Sequence, residues 1–365
     1  MMYKMTIDER LLHFRQPAGT SRGVYTERRM WLVRVTDGRH EGVGECAPLT
    51  DLSCDDVPNY GEVLRAFCDR VERECTGDAG LGDDGPLMTD SLYDDLRDYP
   101  SMLFGLETAL LTLRNASHDP SPASYRLPLL YDTPFSRGEM GIPINGLVWM
   151  GTLDEMQQRI DEKLAAGFHC VKLKIGALDF DSELELIKQI RRRYSHHDVE
   201  LRVDANGAFC YEEGDALYKL ELLSQYQLHS IEQPIRARQW ALMAELCRES
   251  PLPIALDEEL IGVNDPDQKA QMLNIIRPAY VVLKPSLHGG MQGTREWVAL
   301  ARERGIGSWV TSALESNVGL NAIAQLTADI YGPDIRMAQG LGTGLLFTDN
   351  IPMPLEIRGE KLFVV

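Results

Sequence analysis

The sequence predicts an α/β protein: a TIM-like (β/α) barrel joined to a smaller N-terminal α+β domain. Three observations carry this. From Ile142 onward, short apolar runs alternate with amphipathic stretches of about 12 residues, the pattern of strands and helices in a parallel sheet. The repeat is steady: 32 residues from Lys172 to Asp204, 28 on to Glu232, 25 to Asp257 and 27 to Lys284. Nearly every run also stops at a charged residue. Seven or eight units of this length suit a closed barrel better than a doubly wound sheet.

Taken in order, residues 1–118 form the α+β part. Strands are expected at Val24–Val35 and Gly42–Cys46, and helices at Tyr60–Glu74 and Phe104–Ser117. The stretch Gly77–Pro100 between them holds Asp78, Asp83, Asp84, Asp90, Asp94, Asp95 and Asp98 and reads as a solvated loop, with room for a short helix at its end. Residues 119–141, rich in Pro and Ser, read as a linker. The barrel spans 142–340. Its strands are expected at Ile142–Trp149, Cys170–Ile175, Glu200–Asp204, Ser230–Glu232, Ile254–Asp257, Tyr280–Lys284, Ser308–Thr311 and Arg336–Gln339. Helices such as Leu153–Ala166, Ser182–Arg193, Trp240–Arg248 and Thr294–Arg304 separate them, and Thr152 with Glu155 spells a capping box for the first. Residues 341–365 break the rhythm and are expected to return to the first domain, as coil plus strand at Pro354–Ile357 and Lys361–Val365. The glycine run Gly340–Gly344 lacks the spacing of a dinucleotide loop.

Composition narrows the function. The 365 residues suffice for two domains, and 44% hydrophobic with 25% charged residues is a globular balance. With 37 Lys plus Arg against 55 Asp plus Glu, the formal charge is −18, which argues against nucleic acid as a partner but leaves room for a small anionic substrate. The N-terminal stretch lacks an apolar signal core, and no apolar run reaches the ~18 residues of a membrane span. Seven scattered cysteines without a C-x-x-C pattern read as free thiols. The expectation is a cytoplasmic protein without a membrane partner, monomeric or homo-oligomeric.

The charges at the strand ends carry the chemistry. Lys172 and Lys174 close the second run, Asp204 and Asn206 follow the third, and Glu232, Asp257, Lys284 and Glu315 follow the next four. A charge beside a buried strand is costly unless paired or bound to a metal. Six in phase converge on the face where barrels keep their active sites. Asp204, Glu232 and Asp257 form an all-oxygen set that suits a hard divalent ion, Mg²⁺ first and Mn²⁺ second. Lys172 and Lys174, two apart on a strand, share the interior face. Mutual repulsion and desolvation would lower their pKa values and leave one a neutral base, with Lys284 reaching in from the far side. The other reading makes the lysines counter-charges to the carboxylates. A base, a second lysine and a metal suit abstraction of a proton α to a carboxylate, with the metal stabilising the enediolate. No G-x-S-x-G, P-loop or Cys/His arrangement points elsewhere. His196, His197 and His288 fall in loops and read as surface residues.

Lys172-Leu173-Lys174, Asp204-Ala205-Asn206, Glu232, Asp257-Glu258 and Lys284 together resemble the enolase superfamily, muconate-lactonizing branch, in which a lysine base works beside Mg²⁺. Gly42-Val43-Gly44-Glu45 with Ala47-Pro48-Leu49 resembles the capping domain of that branch. The resemblance implies a (β/α)7β barrel with an N-terminal α+β capping domain. Gly44–Ser53, Thr311–Leu320 and Gly340–Phe347 are most similar to the o-succinylbenzoate synthase family. That likeness implies syn dehydration of 2-succinyl-6-hydroxy-2,4-cyclohexadiene-1-carboxylate to o-succinylbenzoate in menaquinone biosynthesis. Lys174 would take the α-proton and then protonate the departing hydroxyl. Lys284 would stay cationic on the opposite face of the ring, and Asp204, Glu232 and Asp257 would hold Mg²⁺. Lys172 would tune Lys174 and touch the substrate carboxylate, with Arg202, Asn206 and Glu258 supporting the metal shell. Ser21 and Arg22, the loop Leu49–Ser53, and Leu314, Glu315 and Ser316 would contact the substrate. Relatives with the same lysines racemise N-acylamino acids or epimerise dipeptides. The lack of an Asp-x-Asp after Gln339 favours the synthase.

Overall fold

The computed structural model describes residues 3–20, 23–75, 85–118, 127–149, 151–211 and 214–365. The N-terminal domain is an antiparallel sheet of β1 (Lys4–Thr20), β2 (Gly23–Thr36) and β3 (Glu41–Cys46), in that order. Strand β1 was not expected. It is an edge strand whose polar residues face water, and a register shift between His13 and Ala18 breaks its alternation. Among the described residues three helices pack with it: α1 (Tyr60–Glu74), α2 (Asp90–Leu96) and α3 (Pro100–His118). α2 arises within the expected acidic loop, where Thr89 caps it by accepting from the Leu92 N–H.

The glycines of β3 have a steric reason. A Cβ on Gly44 would lie 1.8 Å from the Gly105 carbonyl oxygen, and one on Gly42 2.0 Å from that of Ala109. Helix α3 therefore rests directly on the β3 backbone. It is apolar around its circumference because both sides are buried. Leu103, Leu106, Leu110 and Leu113 join Trp31, Val33 and Val35 in the cap core, while Phe104 and Leu111 join the barrel core.

After β4 (Ile142–Pro143), the barrel runs β5 (Gly146–Val148), α4 (Leu153–Ala165), β6 (Cys170–Lys174), α5 (Phe180–Arg193), β7 (Glu200–Asp204), α6 (Asp215–Ser224), β8 (Ser230–Glu232), α7 (Trp240–Glu249), β9 (Ile254–Leu256), α8 (Pro266–Ile276), β10 (Tyr280–Leu283), α9 (Gly290–Glu303), β11 (Gly307–Val310) and α10 (Asn317–Tyr331). Strands β5 to β11 form one parallel sheet in chain order. The eighth position, expected as a strand at Arg336–Gln339, shrinks to a seam: Gln339 bridges Ile144 and Gly340 bridges Thr311, both in parallel sense. The Thr152–Glu155 capping box is present at α4. Register fixes the height of the charges, because Lys174 pairs with Asp204 and Asp204 with Glu232.

Two expectations about the connecting segments need correction. Of residues 119–141, expected as linker, 119–126 lie outside the described residues and 127–141 are packed: Leu127, Leu130 and Phe135 are buried in the barrel core, and the Leu130 N–H donates to Gln325 Oε1 at 2.8 Å. The C-terminal segment meets the cap with its coil, where Arg15 N donates to the Leu346 carbonyl and Thr348 N to that of His13. Its strand β12 (Leu355–Arg358) pairs with β13 (Lys361–Val364), and β13 in turn pairs with β4, through Leu362 and Ile142. That pairing covers the otherwise bare edge of β4. Among the described residues no helix is long and apolar enough to cross a membrane. The seven cysteines are free, with Cys46, Cys68, Cys75 and Cys170 buried.

Asp55, in the turn after β3, is fully buried and anchors that turn to α3, accepting from Ser101 N (2.8 Å) and Ser101 Oγ (2.6 Å). Burial pushes its carboxyl up to about 6, against the opposing pull of Ser101. The native state thus holds the proton more tightly than the unfolded chain. This contribution is complete below the ordinary aspartate pKa and is lost as pH rises through about 6. Denaturant titrations should show the wild type losing about 3 kcal/mol relative to Asp55→Asn between about pH 4 and pH 7. Parallel curves for the two proteins would contradict the assignment.

Candidate active site

The site sits at the carboxyl ends of the barrel strands. Alternation along β6 sends Val171 and Leu173 into the core beneath the helices and turns Lys172 and Lys174 inward. Asp204 ends β7, Glu232 ends β8, Asp257 follows β9 and Lys284 follows β10. The three carboxylates are buried, and each offers an oxygen within 4.8 Å of the others. Lys172 Nζ lies 2.7 Å from Glu232 Oε2 and 3.5 Å from Asp204 Oδ2. Lys174 Nζ is 3.4 Å from Asp204 Oδ2 and donates to Asn206 Oδ1 at 2.8 Å. Lys284 Nζ grips both oxygens of Asp257, at 2.7 and 2.6 Å. Asn206 donates from Nδ2 to Glu258 Oε1 (2.9 Å), and its own N–H donates to Asp204 Oδ1 (3.0 Å).

Glu232 Oε1 is buried with no hydrogen-bond partner among the described residues. An unsatisfied carboxylate oxygen beside two more carboxylates fits an oxygen-liganded divalent cation. The residues present can therefore hold such an ion.

Four carboxylates, counting Glu258, face three lysines, and this balance sets the electrostatics. Burial works to raise the Asp204 pKa, yet Lys174, Lys172 and Lys284 hold it well below the usual carboxylate range. Burial pushes Glu232 up to about 7, with Asp204 and Asp257 adding to the rise and Lys172 opposing it. Burial would lower Lys172, but Glu232, Asp204 and Asp257 outweigh it and raise its pKa. Lys284 is raised against burial by Asp257 and Glu258. The expected depression of the lysine pair thus fails for Lys172, whose carboxylate neighbours outweigh its lysine neighbour.

A pocket opens above these groups, with about 840 Å³ of empty space when the adjoining open solvent is included. Lys172, Lys174, Asp204, Asn206, Glu258, Lys284 and Leu314 line it, as do Leu49 and Leu52 of the cap. Ser21 and Arg22 lie outside the described residues. Arg202 does not support the carboxylates. It sits one layer deeper, fully buried, where it donates to Glu200 Oε1 and the Ala338 carbonyl and stacks on Trp309 at 4.5 Å. Glu315 and Ser316 stand behind the pocket wall, bonded to Ser286 and Glu45 respectively. His288, expected on the surface, is fully buried, and its Nδ1 accepts the backbone N–H of Lys284 at 2.9 Å.

Sequence reasoning missed several groups. Trp149 lies 5.8 Å from Lys174 Nζ, and Tyr25, Ser312 and Thr343 complete the wall. Gln233 is buried at φ 39 and accepts from the N–H of Asp257 (3.3 Å) and of Glu259 (3.1 Å), holding one metal-site strand end against the next. Ser312 and Thr343 fall within segments that carried the family resemblance. Gln233 and Trp149 had no readable signal.

A parallel barrel whose strand ends present three carboxylates between opposed lysines, under an α+β cap, defines a class of enzyme. The enolase C-terminal domain-like family model matches residues 155–359, and the chain belongs to the enolase superfamily. It is 46% identical to the o-succinylbenzoate synthase of Desulfotalea psychrophila (strain LSv54 / DSM 12343), over 97% of this chain and 96% of that protein. The crystal structure of MenC from Desulfotalea psychrophila LSv54 superimposes with a TM-score of 0.82 at 40% identity, covering 100% of both chains. A dipeptide epimerase from Enterococcus faecalis V583, solved with Mg and the dipeptide L-Leu-L-Tyr, shares the fold at 16% identity, with a TM-score of 0.79 over 100% of this chain and 98% of that one.

A divalent cation in hundredfold excess over its dissociation constant should stabilise the native protein by about 2.7 kcal/mol, visible as a rise in Tm. Glu232→Gln should erase most of that rise. A wild-type Tm indifferent to Mg²⁺ and Mn²⁺ would show that the carboxylates do not gather a cation.

Proposed function

We propose that this chain is an o-succinylbenzoate synthase, removing water from 2-succinyl-6-hydroxy-2,4-cyclohexadiene-1-carboxylate. The observation that carries the reading is the pair Lys174 and Lys284, whose amines approach one pocket floor from β6 and from β10, across the carboxylates between them. The near full-length likeness to a synthase supports it.

Asp204, Glu232 and Asp257 would hold Mg²⁺, whose chemistry when bound is that of a Lewis acid at the substrate carboxylate. Lys172, held by Glu232 at the pocket lining, would meet that carboxylate with its ammonium. Lys174 Nζ takes the proton from the ring carbon bearing the carboxylate. The same nitrogen, now an ammonium, gives that proton to the hydroxyl on the neighbouring carbon, which departs as water. One amine serving both steps makes the elimination syn. Lys284 would remain an ammonium and face the ring from the other side as a cation–π partner. Trp149, Leu49, Leu52 and Leu314 supply the pocket with an apolar wall. The ring becomes aromatic as water leaves, so the chemistry needs little beyond a placed base and a stabilised carboxylate. The free thiols agree with a cytoplasmic enzyme.

The opposed lysines also suit racemisation at Cα, which makes an N-acylamino acid racemase or dipeptide epimerase the second reading. Purified protein with Mg²⁺ should convert the cyclohexadiene to o-succinylbenzoate, followed by ultraviolet absorbance. Lys174→Ala should lose at least about 100-fold in kcat while keeping its circular dichroism. Failure to turn over the cyclohexadiene, together with Cα deuterium exchange on dipeptides or N-acylamino acids in D₂O, would transfer the assignment to the second reading.

A further inference from the structure

Two buried junctions fasten the cap to the barrel, and they differ in what stands in front of them. At the first, Glu107 of α3 accepts from Met291 N (2.5 Å) and Gln292 N (3.1 Å) in the first turn of α9. At the second, fully buried Glu45 of β3 accepts from Ser316 N (2.8 Å), Ser316 Oγ (2.5 Å) and Gly319 N (2.8 Å), at the start of α10. Beside it Arg28 of β2, only 3% exposed, donates from Nη1 to the Pro48 carbonyl (2.6 Å). Its Nη2 donates to the carbonyls of Ala47 (2.6 Å) and Ala313 (3.3 Å). Glu315, fully buried, accepts from Ala313 N (2.6 Å) and Ser286 Oγ (2.5 Å).

These three side chains stand behind the pocket wall, yet each grips backbone within two residues of a residue that lines it. Leu49 follows the carbonyls of Ala47 and Pro48, and Ala313 and Leu314 line the pocket themselves. Leu314 adopts φ 65, a conformation that a leucine holds only when its surroundings impose it. Here they do: Ala313 is bonded at its carbonyl by Arg28 and at its N–H by Glu315, and Ser316 is bonded by Glu45. The planar guanidinium spans three carbonyls from two domains, a reach that the single ammonium of a lysine cannot reproduce.

We propose that Arg28, Glu45 and Glu315 form a positioning cluster that sets the shape of the substrate pocket, clamping the cap turn at 47–49 to the barrel turn at 313–316. The cluster touches neither the lysines nor the carboxylates of the strand ends. It governs how well substrate is held and leaves the proton transfers alone. This proposal deepens the functional reading above and rests on it for its kinetic test.

Arg28→Met should raise KM for the cyclohexadiene about tenfold or more while kcat stays within about threefold, since small displacements of a binding wall are costly to substrate placement. Glu45→Gln should act in the same direction and serves if Arg28→Met fails to fold. Arg28→Lys should recover KM only in part. Glu107→Gln, at the other junction, should lower Tm yet leave KM near the wild-type value. Hydrogen exchange supplies a readout free of activity: amides of Leu49–Ser53 and Ala313–Ser316 should exchange faster in Arg28→Met, while those of β6 to β10 keep their protection. Unchanged KM in both cluster variants, or an equal rise in Glu107→Gln, would reduce the cluster to a structural junction and overturn the proposal. If the wild type turns over no cyclohexadiene, the functional reading fails, and the exchange pattern alone decides whether the clamp exists.

Discussion

Three carboxylates withdrawn from water and gathered within 4.8 Å of each other are tolerable only with positive charge among them. The rest of the site follows from that constraint. Lys172 and Lys284 lean onto Glu232 and Asp257, Lys174 reaches Asp204, and even so one oxygen of Glu232 has no partner among the described residues. A seated divalent cation would compete with the lysines for the same oxygens, releasing amines that otherwise act as counter-ions. The two readings of the lysines from the sequence, base or counter-charge, therefore describe one arrangement with and without the ion.

The barrel supplies the height at which these groups meet, and the cap supplies the lid. Strand register puts Lys174, Asp204 and Glu232 level, and Gln233 ties the next strand end to them through the Asp257 N–H. The cap contributes Leu49 and Leu52 to the wall from a turn held twice, by Asp55 on α3 and by Arg28 from beneath. Buried carboxylates on the first turns of α3, α9 and α10 are a recurring device here. Backbone N–H groups at those helix starts satisfy them.

Much of this was readable from the sequence, for definite reasons. A buried charge at the end of an apolar strand is rare enough that six in phase announce a site, so Lys172, Lys174, Asp204, Glu232, Asp257 and Lys284 could be picked out before any geometry. Parallel strands carry continuous apolar runs, which made β6 to β11 visible. The edge strand β1 and the two-residue seam at Gln339 and Gly340 lack that pattern and went unread or overread. Arg202 misled because it shares strand and face with Asp204. Two residues along a tilted barrel strand is a full layer of depth, and the deeper layer is where Trp309 waits for a guanidinium. His288 looked like a surface residue because it lies in the loop between β10 and α9; nothing local announces that this loop turns the imidazole inward to accept the Lys284 N–H. Arg28 left no signal, since its partners are backbone carbonyls whose placement no local pattern encodes, and Glu45 entered only as part of the capping-domain motif, without a role.

Helix α3 belongs to two cores at once, lending one face to the cap sheet and another to the barrel. Neither core can be completed without the same nineteen-residue segment. Severing the molecule at the domain boundary would leave a raw apolar stripe on whichever half kept the helix and a trench in the other. Such sharing couples the unfolding of cap and barrel, and a catalytic half cut free of the cap would lack part of its own core.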